Sequence, residues 1–276
     1  MHGDLGRQSR RRYAVELTGL DAWVYARPYQ GADEGGDIHY LSSCASGDIS
    51  RLLVADVSGH GAGVAGAAAA LRTLMRRNIN HVEPRRLAAG LNSAFGPIAS
   101  EGGFATAVVA SYYRPTRRLS LCNAGHPRPM LFRRAFGRWS VLDAHAEDRG
   151  ERAGDAGALA NIPLGIADGV RYDTARVQLE PGDVVLVYTD SLIEAKGGSG
   201  VLGERGLLDV LATIQVESVA GLLREIAARV PGLADSRGDD VTMLAFSPNA
   251  RAPEPGLRGA MKHIWRYLKG LRGEPA

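Results

Sequence analysis

Four places in the chain set an aspartate at an end of an apolar strand, next to a glycine, a serine or a second aspartate. They are Asp37 in EGGD, Asp56 in LLVADVSG, Asp190 in VLVYTDS, and the pair Asp239 and Asp240 in RGDDVT. Taken singly, each reads as a cap or turn residue, because a short carboxylate bonds well to nearby backbone N–H groups. Four of them carry a different implication. If the strand ends converge, the carboxylates repel one another unless cations lie between them. Oxygen ligands with no matching set of His or Cys favour Mg2+ or Mn2+ over zinc. A water bridging two such ions is a nucleophile.

Two other stretches offer competing chemistry. VADVSGHGAG, Val54 to Gly63, has the glycine-rich turn before a helix that could cradle a phosphate on backbone N–H groups. It lacks the Lys-Ser/Thr ending of a P-loop, and its glycines do not make the dinucleotide fingerprint. CNAGHPR, Cys122 to Arg128, satisfies the C-x5-R pattern of cysteine phosphatases, in which a thiolate attacks and the arginine holds the phosphate. That loop must run from a strand into a helix N-terminus. Here Pro127 and Pro129 lead into MLFRR, a strand pattern, so Cys122 is expected in a strand core.

The elements that must position the acids follow from periodicity and punctuation. Strands are expected at 21–29, 37–46 and 49–57, as neighbours in one antiparallel sheet. A helix with a close-packing alanine face follows from Ala62 to about Asn80, and Pro84 opens a second toward Ala99. Strands at 104–113, 119–125, 129–134 and 138–143 read as a meander. Residues 144–161 are polar and rich in Gly and Ala, as in a surface loop. Strands at 172–179 and 184–190 flank the turn EPGD, helices cover 204–215 and 218–229, and a strand at 239–246 closes the order. Strands, two helices, strands, two helices and a last strand define an α+β fold of two antiparallel β-sheets forming a sandwich flanked by α-helices.

Beyond it, Leu257, Met261, Ile264, Leu268 and Leu271 make a narrow apolar seam among Arg258, Lys262, Arg266, Lys269 and Arg272. A helix over 257–271 would pack on its own domain or contact a partner or an anionic membrane surface. The chain thus divides into a basic arm, 1–20, a main domain, 21–248, and a linker with a basic amphipathic helix, 249–276.

Composition narrows the classes. With 45% hydrophobic and 23% charged among 276 residues, the chain suits one large globular domain. The net charge of +3 conceals an uneven distribution: residues 1–12 carry +3, residues 251–276 carry +4, and the body between them −4. The basic pI therefore does not argue for a nucleic-acid partner, and none is expected. Only Cys44 and Cys122 are present, no apolar run has the length of a membrane span, and no apolar h-region follows the N-terminal charges. A reducing cytoplasm is the compartment these features favour.

The ordered set GGD, ADVSGHG, FATA, NAGHPRPML, PLGI, GDVVLVYTDSLIEA and GDDVTML resembles the PPM-type metal-dependent protein serine/threonine phosphatases. It is most similar to their bacterial SpoIIE- and RsbU-like branch, over about residues 21–247. The resemblance implies a β-sandwich flanked by helices, in agreement with the order above. It makes Asp56 the carboxylate bridging two divalent cations, Mn2+ or Mg2+, with the Val57 backbone carbonyl beside it. Asp37 would complete one ion's shell, and Asp190 and Asp239 the other's, with Asp240 a weaker ligand. A metal-bridging hydroxide would then attack phosphoserine or phosphothreonine directly, and His60 is a candidate general acid against a structural role in its turn.

Three positions depart from the family pattern: Ser191 replaces the usual Gly after the aspartate, Ile193 the usual Thr, and Tyr40 a second Asp found in many relatives. The resemblance further implies a phosphorylated STAS-type anti-sigma-factor antagonist as protein substrate, in partner-switching signalling. Most such phosphatases carry an N-terminal sensor, for which these residues leave no room, so control is expected from the tail helix, a separate protein or expression level. The alternative is a phosphoprotein-binding regulatory module of the same fold that has lost turnover.

Overall fold

The computed structural model describes residues 11–28, 35–44, 47–59, 62–78, 81–99, 103–142, 160–197, 200–230, 233 and 240–249. Strands β1 (Arg11–Leu17), β2 (Leu20–Arg27), β3 (Asp37–Ser43) and β4 (Ile49–Val57) come first, followed by helices α1 (Ala62–Arg77) and α2 (Pro84–Phe95). Then come β5 (Ala105–Tyr113), β6 (Arg118–Ala124), β7 (Met130–Arg133), β8 (Arg138–Val141), β9 (Ala175–Gln178) and β10 (Val184–Tyr188). The short pair β11 (Lys196–Gly197) and β12 (Gly200–Val201) precedes α3 (Gly203–Ala212), α4 (Val219–Arg229) and β13 (Val241–Pro248).

The strands build a six-stranded sheet in the order β1-β2-β13-β10-β7-β8 and a five-stranded sheet in the order β3-β4-β5-β6-β9. Pairing between neighbours in both sheets is antiparallel. Alternation along each strand splits its side chains between two cores. On β4, Leu52 and Val54 enter the layer between the sheets, where they meet Val24, Val185, Leu244 and Phe246 of the other sheet. Leu53, Ala55 and Val57 turn the other way, onto Leu71 and Met75 of α1 and Leu87, Leu91 and Phe95 of α2. The six-stranded sheet is covered on its outer face by Leu207 and Leu211 of α3 and Leu222, Leu223 and Ile226 of α4. Four layers, helix, sheet, sheet and helix, result.

The helices start where the sequence places them. Pro84 opens α2, where a missing N–H costs nothing, and Ser218 caps α4 by accepting the Gly221 N–H at 3.1 Å.

Sheet membership differs from the sequence expectation in two places. The strands at 21–29, 37–46 and 49–57 are not neighbours in one sheet: β2 pairs with β1 and β13, whereas β3 and β4 belong to the other sheet. The expected meander is likewise divided, with β5 and β6 in the five-stranded sheet and β7 and β8 in the six-stranded one. Both faces of β4, β5 and β6 are buried almost throughout, so their near-continuous apolar runs carry no mark of which neighbours they pair with. Strand β1 lies ahead of residue 21 and forms part of the six-stranded sheet, and β11 and β12 have no counterpart in the expected order. No helix among the described residues is long and apolar enough to cross a membrane.

Candidate active site

Strands β3 and β4 pair with Asp37 opposite Asp56, and β4 and β5 pair with Asp56 opposite Thr106. Directly opposed residues share a face, and the alternation with Leu52 and Val54 turns Asp56 into the space between the sheets. Asp37, Asp56 and Thr106 therefore form a polar row across three strands, where the apolar filling of the sandwich ends. The other sheet meets this row with Thr189, just after β10, Thr242 on β13, and Asp240, just before it. Thr189 Oγ1 donates to Asp37 Oδ2 at 3.0 Å and accepts the Thr242 N–H at 2.9 Å. The Gly36 N–H donates to Asp240 Oδ2 at 2.6 Å. Hydrogen bonds that include two of the acids thus tie the sheets together at this rim.

Electrostatics at the rim are unfavourable without a counter-charge. Burial pushes the Asp37 carboxyl well above the ordinary carboxylate range, and the charges of Asp56 and Asp240 push it the same way. Hydrogen bonds from Thr242 and Thr189 oppose the shift without cancelling it.

The donor set fits a hard divalent cation. A methyl group on Gly36 would stand 2.9 Å from the Val57 carbonyl oxygen and 3.4 Å from Asp56 Oδ1, so both oxygens converge on the bare Cα of this glycine. Carboxylate and carbonyl oxygens of this kind suit Mg2+ or Mn2+, not zinc. Among the described residues, no three His, Cys, Asp or Glu side chains close on a single point.

The structure sets Asp37 opposite Asp56 and brings Asp240 and the Val57 carbonyl to the adjoining Gly36. Asp190 opens a 3-10 turn, Asp190–Leu192, directly after Thr189, so the residue that holds Asp37 is its chain neighbour. Asp239, His60 and the helix expected over 257–271 lie outside the described residues. Sequence reasoning did not single out Thr189, Thr242, Gly36 or His126. The first stands beside an acid already noted, and the last lies in the NAGHPRPML motif.

The departures from the family pattern leave the row of acids in place. Ser191 Oγ lies 3.3 Å from Thr189 Oγ1, against the hydroxyl that orients Asp37. Ile193 packs on the α3 and α4 side of the six-stranded sheet. Tyr40 packs against the core under α1 and α2, on the face of β3 opposite to that of Asp37.

Cys122 is buried within β6 and its Sγ lies 3.4 Å from Thr174 Oγ1. Burial pushes the thiol up to about 12, so no thiolate forms near neutral pH. Arg128 is engaged in a forked ion pair with Glu204, and the loop leads into β7, a strand. These features exclude cysteine-phosphatase chemistry at CNAGHPR.

The family model for Stage II sporulation protein E (SpoIIE) matches residues 46–249. Among solved structures, the chain is similar to the RsbU and RsbW domains of Rv1364c from Mycobacterium tuberculosis. The TM-score is 0.65 at 23% identity, covering 94% of this chain and 70% of that one. Similarity also extends to the PP2C phosphatase domain, with a fragment of the regulatory domain, of SpoIIE from Bacillus subtilis, with a TM-score of 0.67, 12% identity, and 89% and 71% coverage. RsbX in complex with magnesium matches with a TM-score of 0.55 at 19% identity, covering 87% of this chain and all (100%) of that one. The fold is that of the PP2C-type, or PPM-type, protein serine/threonine phosphatases. The chain belongs to the SpoIIE family of these enzymes.

Proposed function

We propose that this chain hydrolyses phosphoserine or phosphothreonine on a cytoplasmic regulatory protein, an anti-sigma-factor antagonist of the STAS type, in partner-switching signalling. The observation that carries the metal-dependent chemistry is the polar row itself: Asp37 and Asp56 in register, with Asp240 held at the neighbouring Gly36 N–H and the Val57 carbonyl alongside. Asp56 would bridge two divalent cations, Mn2+ or Mg2+. Asp37 and the Val57 carbonyl would hold one, Asp190 and Asp239 the other, and Asp240 would add a weaker ligand. Bound cations supply a water of lowered pKa and neutralise charge on the phosphoryl group. The chain's own residues hold the oxygens in place: Thr189 orients Asp37, the Gly36 N–H orients Asp240, and the bare Gly36 Cα leaves room for the Val57 carbonyl. His60 is the candidate general acid.

The magnesium bound by RsbX and the RsbU and RsbW domains of the mycobacterial structure support the choice of cofactor and of signalling context. The test has two stages. Mn2+-dependent hydrolysis of p-nitrophenyl phosphate, abolished by EDTA and by Asp56→Ala, is expected first. Release of phosphate from phosphorylated antagonists of the same genome is expected second. A folded protein with no turnover in Mn2+ or Mg2+ would instead be a phosphoprotein-binding module.

A further inference from the structure

The chain passes from the five-stranded to the six-stranded sheet through Gly125–Pro129, between β6 and β7. Gly125 has φ +66°, and a side chain there would also collide with the Pro163 ring. His126 follows, its backbone gripped on both sides by Asn123: the His126 N–H donates to Asn123 Oδ1 at 2.7 Å, and Asn123 Nδ2 donates to the His126 carbonyl at 2.8 Å. The grip directs the imidazole inward, where only 5% of the residue remains exposed.

Inside, Nδ1 lies 2.7 Å from Thr106 Oγ1, the side chain directly opposite Asp56. The buried Nε2 faces the Tyr188 backbone, two residues before Asp190, without a hydrogen bond of good geometry. Burial holds the ring's pKa down, at about 3, so the imidazole is neutral at physiological pH. A proton on Nε2 directed at the Tyr188 carbonyl leaves Nδ1 to accept from the Thr106 hydroxyl.

We propose that His126 is a positioning residue for the metal-binding rim: its ring spans from Thr106, beside Asp56, to Tyr188, near Asp190, and sets the spacing of the strand ends that carry these two acids. The inference rests on the metal-binding reading of those acids given above. A ligand role does not suit the ring, because one nitrogen is committed to Thr106 and the other is enclosed against main chain. A role in transferring protons at neutral pH does not suit a buried, unprotonated imidazole.

The test uses the full chain, freed of metal, with Mn2+ itself as the probe. Mn2+ binding is read by electron paramagnetic resonance and folding by far-UV circular dichroism, for wild type, His126→Phe, His126→Gln and Thr106→Val. The expected result is Mn2+ binding weakened on the order of 10- to 100-fold in His126→Phe and in Thr106→Val, the range typical of residues that orient metal ligands. Partial recovery is expected in His126→Gln, which keeps a donor and an acceptor. At saturating Mn2+, the pH–rate profile of His126→Gln should keep the shape of the wild-type profile between pH 6.5 and 9, whatever its height. Wild-type Mn2+ affinity in folded His126→Phe and Thr106→Val would overturn this inference alone. If His126→Phe does not fold, Thr106→Val decides the matter by itself. A wild-type protein that bound no Mn2+ would overturn the metal-binding reading, and this inference with it.

Discussion

Asp37 and Asp56 stand opposite one another across β3 and β4, and Thr189 Oγ1 from the other sheet holds Asp37 Oδ2 at 3.0 Å. Two acids in register at a buried strand end are a repulsive arrangement in the metal-free protein. It becomes favourable when a cation neutralises it.

The first consequence concerns Asp37. Its carboxyl titrates higher in the folded protein than its unpaired value of 3.8. A carboxyl raised in this way contributes stability that is fully present below the unfolded pKa and is lost as pH rises through the folded one. In EDTA, Asp37→Asn should therefore melt progressively higher than wild type as pH is raised from 4 to 8. The same substitution should weaken Mn2+ binding. Calorimetric titrations with Mn2+ in two buffers of different ionisation enthalpy should show proton release by the wild type and less by the variant.

Gly36→Ala tests the close approach beneath the Val57 carbonyl. The added methyl would stand 2.9 Å from that oxygen, and main chain has to give way. Overpacking of this kind costs about 1–3 kcal/mol. The Mn2+ concentration for half-maximal activity should rise on the order of tenfold, the scale of a disturbed ligand shell. An unchanged Mn2+ titration with a normal melting curve would show that the carbonyl does not serve a metal.

Cys122 separates the two phosphatase chemistries. With its thiol raised to about 12 by burial, iodoacetamide at pH 8 should leave it unmodified in the native protein and alkylate it after denaturation. Cys122→Ser should retain phosphatase activity within a few-fold. Loss of activity in a well-folded Cys122→Ser protein would overturn the assignment of chemistry to the aspartates.

His126 gives a pH signature of opposite sign to that of Asp37. Its folded pKa of about 3 lies below the ordinary 6.5. The unfolded chain therefore binds the extra proton between those values, and stability falls as pH drops through that window, by at most ~1.4 kcal/mol per pH unit. Because Asp37 pulls the other way over part of the range, the comparison belongs in an Asp37→Asn background. Urea midpoints at pH 4.5 and 7 should differ more with His126 present than with His126→Phe.

The sequence by itself placed most strands to within a few residues and set the aspartates at or just beyond their ends, although β10 stops at Tyr188, two residues before Asp190. The run ISRLLVADV is legible as a strand by itself, and β4 occupies those nine residues, Ile49–Val57, with Asp56 next to its end. Helix starts were legible for the same reason, because Pro84 acts through its own backbone. Only the tertiary structure decided which strands share a sheet. With both faces of β2, β4 and β5 buried, the apolar pattern is compatible with several neighbours, and β2 in fact pairs with β13, more than two hundred positions away. It also decided that Asp240 reaches the N–H of Gly36 across a separation of 204 residues, that Thr189 orients Asp37, and that His126 lies between the two sheets. Local periodicity encodes burial and chain direction. The meeting of distant polar groups depends on how two sheets close over a shared core, and no stretch of sequence carries that alone.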